Sequence, residues 1–328
     1  MNRILVIGSN SFSGASFIRY VLNKDATVVG ISRSPEPADA MLPYRWDDHK
    51  RFRFEAMDLN HDLEKIMTLI EDFQPQLVVN FAAQSMVAES WDSPEDWFQT
   101  NVIANVNLHD RLRDCRYMER YVHVSTPEVY GSCIGSVSEK APYNPTTPYA
   151  VSRAACDMSL SSFGRAYDFP VLFTRAANVY GPGQQLYRII PRTILYIRLR
   201  KKLELHGGGT SERSFIHIDD VAHGTWKVAH EGRLGEVYHL STPELISIKN
   251  LVKKICNRLD VCFEDHVDIV DERLGKDAAY ILDSAKARKE FNWKDDVLLD
   301  DGIDQTIRWI DSNIEELSKQ PLKYIHQK

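Results

Sequence analysis

The first fourteen residues constrain the fold more than any other stretch. Ile4-Leu5-Val6-Ile7 is an unbroken apolar run, and Gly8-Ser9-Asn10-Ser11-Phe12-Ser13-Gly14 follows it directly. A short run with no polar alternation reads as a strand buried on both faces, as in a parallel sheet covered by helices. The glycines then turn the backbone sharply into a helix, predicted to begin near Gly14. N–H groups at such a helix start can meet the charge of a pyrophosphate. The spacing is G-x-x-S-x-x-G, so Ser11 stands where a G-x-x-G-x-x-G loop has its middle glycine. Serine fits there provided its φ stays negative.

The same punctuation recurs. Apolar runs at 27–31, 52–56, 76–81, 121–125 and 170–175 alternate with amphipathic stretches, giving six candidate strands with crossover helices. This pattern predicts a Rossmann-type, doubly wound parallel α/β sheet. The second half is less regular, with proline and glycine at Gly181-Pro182, Gly207-Gly208-Gly209 and Thr242-Pro243. The expected division is a dinucleotide-binding domain over 1–180 and a smaller C-terminal substrate lobe over 181–328. A segment near 215–245, residues 236–240 in particular, is left open to return to the main sheet.

A length of 328 residues allows one such body with ample core, and a net charge of −6 argues against nucleic acid as the main partner. No apolar run approaches the ~18 residues of a membrane span, and the N-terminus enters a strand without a signal-peptide pattern. Five cysteines, scattered and without a C-x-x-C pair, suggest neither a disulfide framework nor a metal site. A cytoplasmic protein is expected.

The candidate cofactor residues are Gly8, Ser11, Phe12 and Gly14 in the first turn, Ser32 and Arg33 after the second strand, and Asp58 and Leu59 after the third. Ala82, Ala83 and Gln84 follow the fourth. An acidic residue at the second strand's end would hold an unphosphorylated ribose. Here Gly30-Ile31-Ser32-Arg33-Ser34 offers a cation instead, so NADP is favoured over NAD.

Two segments carry the chemistry. Ser125-Thr126-Pro127-Glu128-Val129-Tyr130-Gly131 follows the fifth strand, at the sheet's carboxyl edge, where such folds bind ligands. Tyr149-Ala150-Val151-Ser152-Arg153 opens a helix after Pro148 and places Tyr149 and Arg153 on one face. A cation beside a phenol favours the phenolate, so Arg153 is expected to bring Tyr149 down towards a useful general base.

These segments resemble the extended short-chain dehydrogenase/reductase family, and within it the nucleotide-sugar 4,6-dehydratases of the dTDP-glucose and GDP-mannose types. The likeness runs on through Thr100-Asn101-Val102, Thr174-Arg175-Ala176-Ala177-Asn178-Val179-Tyr180-Gly181-Pro182, Arg213-Ser214-Phe215-Ile216-His217-Ile218-Asp219-Asp220-Val221 and Arg273-Leu274-Gly275-Lys276-Asp277. The resemblance implies an NAD(P)-dependent enzyme acting on a nucleotide-diphosphate sugar. Such enzymes oxidise C4, remove the C5 proton and eliminate water from C6. It assigns Tyr149 as the C4 base, with Arg153 beside it against the cofactor ribose. It places Thr126 on the C4 oxygen and Glu128 as the C5 base. Ser85, Asn178, Arg188, Arg213 and Arg273 are implied substrate contacts, and helices near 94–113 and 152–167 an implied homodimer face.

Two departures stand inside the catalytic segments. Arg153 replaces the lysine of Tyr-x-x-x-Lys and cannot titrate. Pro127 replaces an aspartate or serine and offers no acid. The chain also admits a UDP-glucuronate decarboxylase, an NDP-sugar 4-epimerase, a 5,6-dehydratase variant that stops at an unsaturated product, or a non-catalytic nucleotide-binding protein. Glu128 argues against epimerisation; the joint presence of Thr126, Glu128 and Tyr149 argues against loss of catalysis.

Overall fold

The computed structural model describes residues 2–133, 135–271 and 281–326. Seven strands form one parallel sheet: β1 (Arg3–Ile7), β2 (Thr27–Ser32), β3 (Phe52–Ala56), β4 (Leu77–Asn80), β5 (Arg120–Val124), β6 (Val171–Ala176) and β7 (Val237–Leu240). Their spatial order is β7-β6-β5-β4-β1-β2-β3, with Ile4 opposite Val28 on one side and Leu77 on the other. The order reverses between β1 and β4, which opens a crevice at their carboxyl ends. The six strands expected from sequence are present, and the run ending at Leu240 adds a seventh beside β6.

Alternate residues of each strand feed opposite cores. Ile4, Val6, Val28, Leu77, Val79 and Val122 pack under helices Phe12–Leu22 and Ile218–Glu231. Leu5, Ile7, Val29, Ile31, Val78 and Tyr121 pack under helices Leu63–Phe73, Asn105–Leu112 and Pro148–Tyr167. A third core gathers Ile190, Ile194, Leu251, Ile255, Ile303 and Trp309 from the C-terminal half. Trp309 Nε1 donates to the Ala40 carbonyl at 2.9 Å, joining that core to the segment between β2 and β3. Among the described residues no helix is long and apolar enough to cross a membrane, and no cluster of three or more His, Cys, Asp or Glu could hold a metal ion.

The interior holds histidines as well as hydrocarbon. His109, His123 and His239 are fully buried. His109 Nε2 lies 2.9 Å from the Tyr121 hydroxyl and His239 Nε2 lies 2.7 Å from that of Tyr130. Burial holds all three below the usual imidazole range, His239 down to about 3. Below pH 6.5 the unfolded chain therefore takes up protons that the native state refuses. Each histidine then withdraws about 1.4 kcal/mol of stability per pH unit. Asp220, pushed up to about 6 by burial, and Glu139, also raised by burial, return part of this. Urea unfolding at pH 7.5, 6.0 and 5.0 should show a falling midpoint; a flat or rising trend would mean these imidazoles are charged in the fold.

Candidate active site

Gly8 leaves β1 at φ +81°, and a Cβ there would lie 2.7 Å from the Ala82 nitrogen. Only glycine lets the ends of β1 and β4 come this close. Ser11 is extended at φ −71°, so a side chain is accommodated. Its Oγ accepts from Gly14 N at 3.1 Å and donates to the Gly8 carbonyl at 2.7 Å. This N-cap starts the helix at Phe12, two residues earlier than the sequence pattern suggests, because the serine supplies the acceptor that organises the first turn. A Cβ on Gly14 would fall 2.3 Å from the Gly8 oxygen, so this glycine serves helix-to-turn packing.

Beyond the turn lies a cavity of about 330 Å³. Gly8, Ser11, Ser32, Arg33, Asp58, Leu59, Ala82, Ala83 and Gln84 all line it. Phe12 does not: its ring is buried in the core beneath the sheet, leaving only its main chain at the helix start. Asn10, absent from the candidate residues, is central to the lining. Its N–H donates to Ser32 Oγ (3.1 Å) and its Nδ2 to the carbonyls of Ser34 (3.0 Å) and Pro35 (3.2 Å), tying the first turn to the Arg33 loop. Asp58 Oδ1 accepts from Asn60 N at 2.9 Å, which shapes the cavity wall.

At the end of β5, Thr126 caps a single 3₁₀ turn, Pro127–Tyr130, its hydroxyl accepting from Glu128 N at 3.3 Å. Pro127 occupies the first position of that turn, where a fixed φ and a missing N–H cost nothing. The residue that removes an acid therefore stiffens the segment carrying Glu128. Facing it, Thr147 caps helix Pro148–Tyr167 by accepting from Ala150 N at 3.1 Å, which places Tyr149 in the first turn. Tyr149 is 8% exposed and its hydroxyl bonds Thr126. Its pKa is raised, not lowered as expected from Arg153. Burial is the largest effect, opposed by Arg153, Thr126 and Arg188 and reinforced by Glu128.

Arg153 is itself 2% exposed. Its Nη2 donates to the Val124 carbonyl and to His123 Nε2 (3.1 Å), while Nε and Nη1 are buried without a partner. Beside it, Arg175 pairs with Asp157 at 2.7 Å, both side chains fully buried. Asn101 lies on a π-helical turn, Gln99–Ala104. Its amide brackets the Gln84 main chain (2.8 and 3.0 Å) and donates to Ser152 Oγ at 3.0 Å, which bonds the Tyr149 carbonyl at 2.7 Å. The Thr100-Asn101-Val102 motif is visible in sequence; the π turn that aims Asn101 both ways is not.

Of the implied substrate residues, Arg188 precedes helix Ile189–Arg198, lies over the Tyr187 ring and acts electrostatically on Tyr149. Ser85 is exposed next to Gln84. Asn178 donates from Nδ2 to the Ser214 carbonyl at 3.1 Å, beside Arg213. Arg213 lies at the end of a two-residue strand, its Nη1 donating to the Glu212 carbonyl. Arg273 lies outside the described residues. The segment 321–326 also returns to this region: Tyr324 Oη reaches Gln84 Oε1 at 3.5 Å and His326 Nε2 lies 2.7 Å from Asp96.

The family model for GDP-mannose 4,6 dehydratase matches residues 5–306. The chain belongs to that family. A probable dTDP-glucose 4,6-dehydratase of Sinorhizobium fredii is 32% identical, with 94% of this chain and 92% of that one covered. The dTDP-glucose 4,6-dehydratase of Haemophilus influenzae is 30% identical, covering 94% and 98%. Among solved structures, a dTDP-glucose 4,6-dehydratase from Streptomyces venezuelae with NAD bound superposes with TM-score 0.89 at 30% identity, over 98% of this chain and all of that one. A UDP-glucuronic acid 4-epimerase from Bacillus cereus with NAD superposes at 0.85 and 25% identity, covering 94% and 99%. The GDP-mannose 4,6 dehydratase family thus accounts for both the sheet and the dinucleotide crevice. Its turn geometry is testable here: Gly14→Ala should cost about 1–3 kcal/mol in urea unfolding, because the methyl group would meet main chain that cannot yield freely. An unchanged midpoint would refute the packing role.

Proposed function

We propose that this protein is a nucleotide-sugar 4,6-dehydratase using NAD(P)+. The observation that carries the reading is the convergence of Thr126, Glu128 and Tyr149 at the carboxyl edge of the sheet, beside a cavity whose lining fits a dinucleotide. The glycine at 8, the capped helix start at Phe12 and the unpartnered buried donors of Arg153 suit a pyrophosphate and ribose hydroxyls. When bound, the cofactor would supply the two-electron chemistry, accepting the hydride lost from C4 and giving it back at C6 once water has left.

Tyr149 takes the proton from the C4 hydroxyl while Thr126 holds that oxygen. Burial keeps the phenol protonated at rest, so the neighbouring guanidinium groups of Arg153 and Arg188 are what make its ionised form accessible. The C4 ketone acidifies C5, and Glu128 removes the C5 proton. Pro127 offers no acid, so the protonated Glu128 carboxyl passes its proton to the departing C6 hydroxyl and water leaves. C5 regains a proton from the solvent pool with which Glu128 exchanges, and the Tyr149 proton leaves to the same pool. Ser85, Asn178, Arg188, Arg213 and Arg273 are assigned to the nucleotide sugar, the arginines through charge-assisted bonds to diphosphate or base.

We assign NADP as the preferred cofactor, because Ser32, Arg33 and Ser34 line the cavity where a carboxylate would favour NAD. A homodimer is supported by Phe98, Ile103, Val151 and Met158, which expose 38, 49, 39 and 60% of their surface on two neighbouring helical segments. Five free thiols fit a cytoplasmic location, and the lobe from 181 onward is assigned to the sugar nucleotide.

The deciding experiment incubates the protein with dTDP-, GDP-, CDP- and UDP-hexoses and UDP-glucuronate in D2O and follows products by NMR. A C6 methyl with deuterium at C5 is expected. A pentose, a C4 epimer or an unsaturated sugar would each replace the dehydratase reading, and no turnover would leave a binding protein. Glu128→Gln should still reduce the cofactor but form methyl product at least about 100-fold more slowly. For the cofactor, titration should show NADP+ binding tighter than NAD+, with Arg33→Ala removing the preference. Tighter NAD+ binding by the unmodified protein would overturn the NADP assignment.

A further inference from the structure

Arg153 carries a guanidinium, and its fork of five donors needs acceptors in a core that holds few. The structure supplies them from a single strand end. The Val124 carbonyl and His123 Nε2, both on β5, take the two bonds from Nη2. Directly after this strand come Ser125 and Thr126, while Arg153 rides on the helix that carries Tyr149. The bond between His123 and Arg153 thus couples the two catalytic segments directly beneath the site.

We infer that His123 is a positioning residue for the reaction: its neutral imidazole accepts from Arg153 Nη2 and clamps the guanidinium, so that the Tyr149 helix and the Thr126 turn hold a fixed relation. Because arginine only donates, Nε2 must be the acceptor and the proton sits on Nδ1, which is buried without a partner. Burial and the guanidinium groups of Arg153 and Arg175 enforce this form, and the Asp157 carboxylate opposes it. Arg153 and Asp157 face it from the helix, Arg175 from β6 and His109 from helix Asn105–Leu112. Asp157 Oδ1 is 3.5 Å from Nε2 and makes no hydrogen bond of its own, while the charge of the carboxylate is paired with Arg175 (2.7 Å) and bonded by Ser125 Oγ (2.6 Å) through its other oxygen. Protonating His123 would set two cations in contact and displace the guanidinium. Its remaining donors, Nε and Nη1, are those a cofactor ribose would meet. His123 touches neither substrate nor cofactor; it acts through Arg153.

This inference rests on the proposed roles of Tyr149 and Arg153, and dinucleotide binding gives it a readout independent of turnover. The variants are His123→Gln, which keeps an acceptor that cannot titrate, and His123→Phe, which fills the space without one. They are compared in the native background and with Arg153→Met. At pH 7.5, H123F should lose roughly 10- to 100-fold in kcat with KM nearly unchanged, and H123Q should recover most of it. Dinucleotide affinity should fall in H123F and be held in H123Q, and between pH 7 and 5 the native protein should track H123Q, because its imidazole stays neutral there. In the R153M background H123F should add less than twofold. Equal behaviour of H123Q and H123F, an undiminished H123F effect without Arg153, or a native acid limb steeper than that of H123Q would each overturn the proposal. If H123F does not fold, His123→Leu takes its place in both comparisons. If no sugar nucleotide is turned over, the proposed function fails while the affinity comparison still tests the clamp.

Discussion

The buried ion pair between Asp157 and Arg175 organises the edge of the sheet that carries the proposed catalytic residues. It joins helix Pro148–Tyr167 to β6. Through Ser125, Tyr130 and Tyr143, whose hydroxyls bond one partner or the other, it also fastens the turn that carries Thr126 and Glu128. Two fully desolvated charges gain little net stability over a hydrocarbon pair. Removing either partner alone is different, since it strands a charge in the core at a cost of about 3–5 kcal/mol. The pair therefore contributes registry more than strength: one arrangement of strand, helix and turn satisfies both charges. Arg153 and His123 extend the same polar seam towards the cofactor crevice.

That seam explains how two departures from the family pattern coexist with an intact constellation. Arginine at 153 brings a larger, permanently charged group into a site that a lysine would serve with one ammonium. The fold receives it because β5 presents a carbonyl and an imidazole at the right height. Proline at 127 removes a polar side chain from the catalytic turn, yet it falls at the one helical position that suits it, and Thr126 still caps the turn. Both residues fit the local geometry, and in the proposed mechanism they leave Glu128 and Tyr149 as the groups that move protons.

The crevice itself follows from simpler constraints. β1 and β4 part at the point where strand order reverses, and Gly8 lets the first turn lie against Ala82. Ser11 in place of a glycine changes the chemistry of that turn without changing its path, since its φ is negative and its hydroxyl takes over the capping. Asn10 then carries the turn's geometry to the Arg33 loop. Its neighbours in sequence gave no reason to single it out, because the groups that its N–H and Nδ2 bond lie more than twenty residues away.

Local pattern alone determined much of this protein. Period and punctuation mark the strands, the Gly8–Gly14 turn needs glycine for reasons internal to the backbone, and Thr126, Glu128 and Tyr149 stand in segments whose order is readable along the chain. What only the tertiary structure decided are quantities set by burial and by distant partners. The shift of Tyr149 is upward because desolvation outweighs the nearby guanidinium, and a helical-face argument cannot weigh the two. Asn101 aims at both Gln84 and Ser152 because a π turn rotates it, and the partner of Arg153 is a histidine thirty residues earlier. Spacing in a sequence encodes which residues share an element. Electrostatic balance in a core depends on which elements meet, and that exists only once the chain has packed.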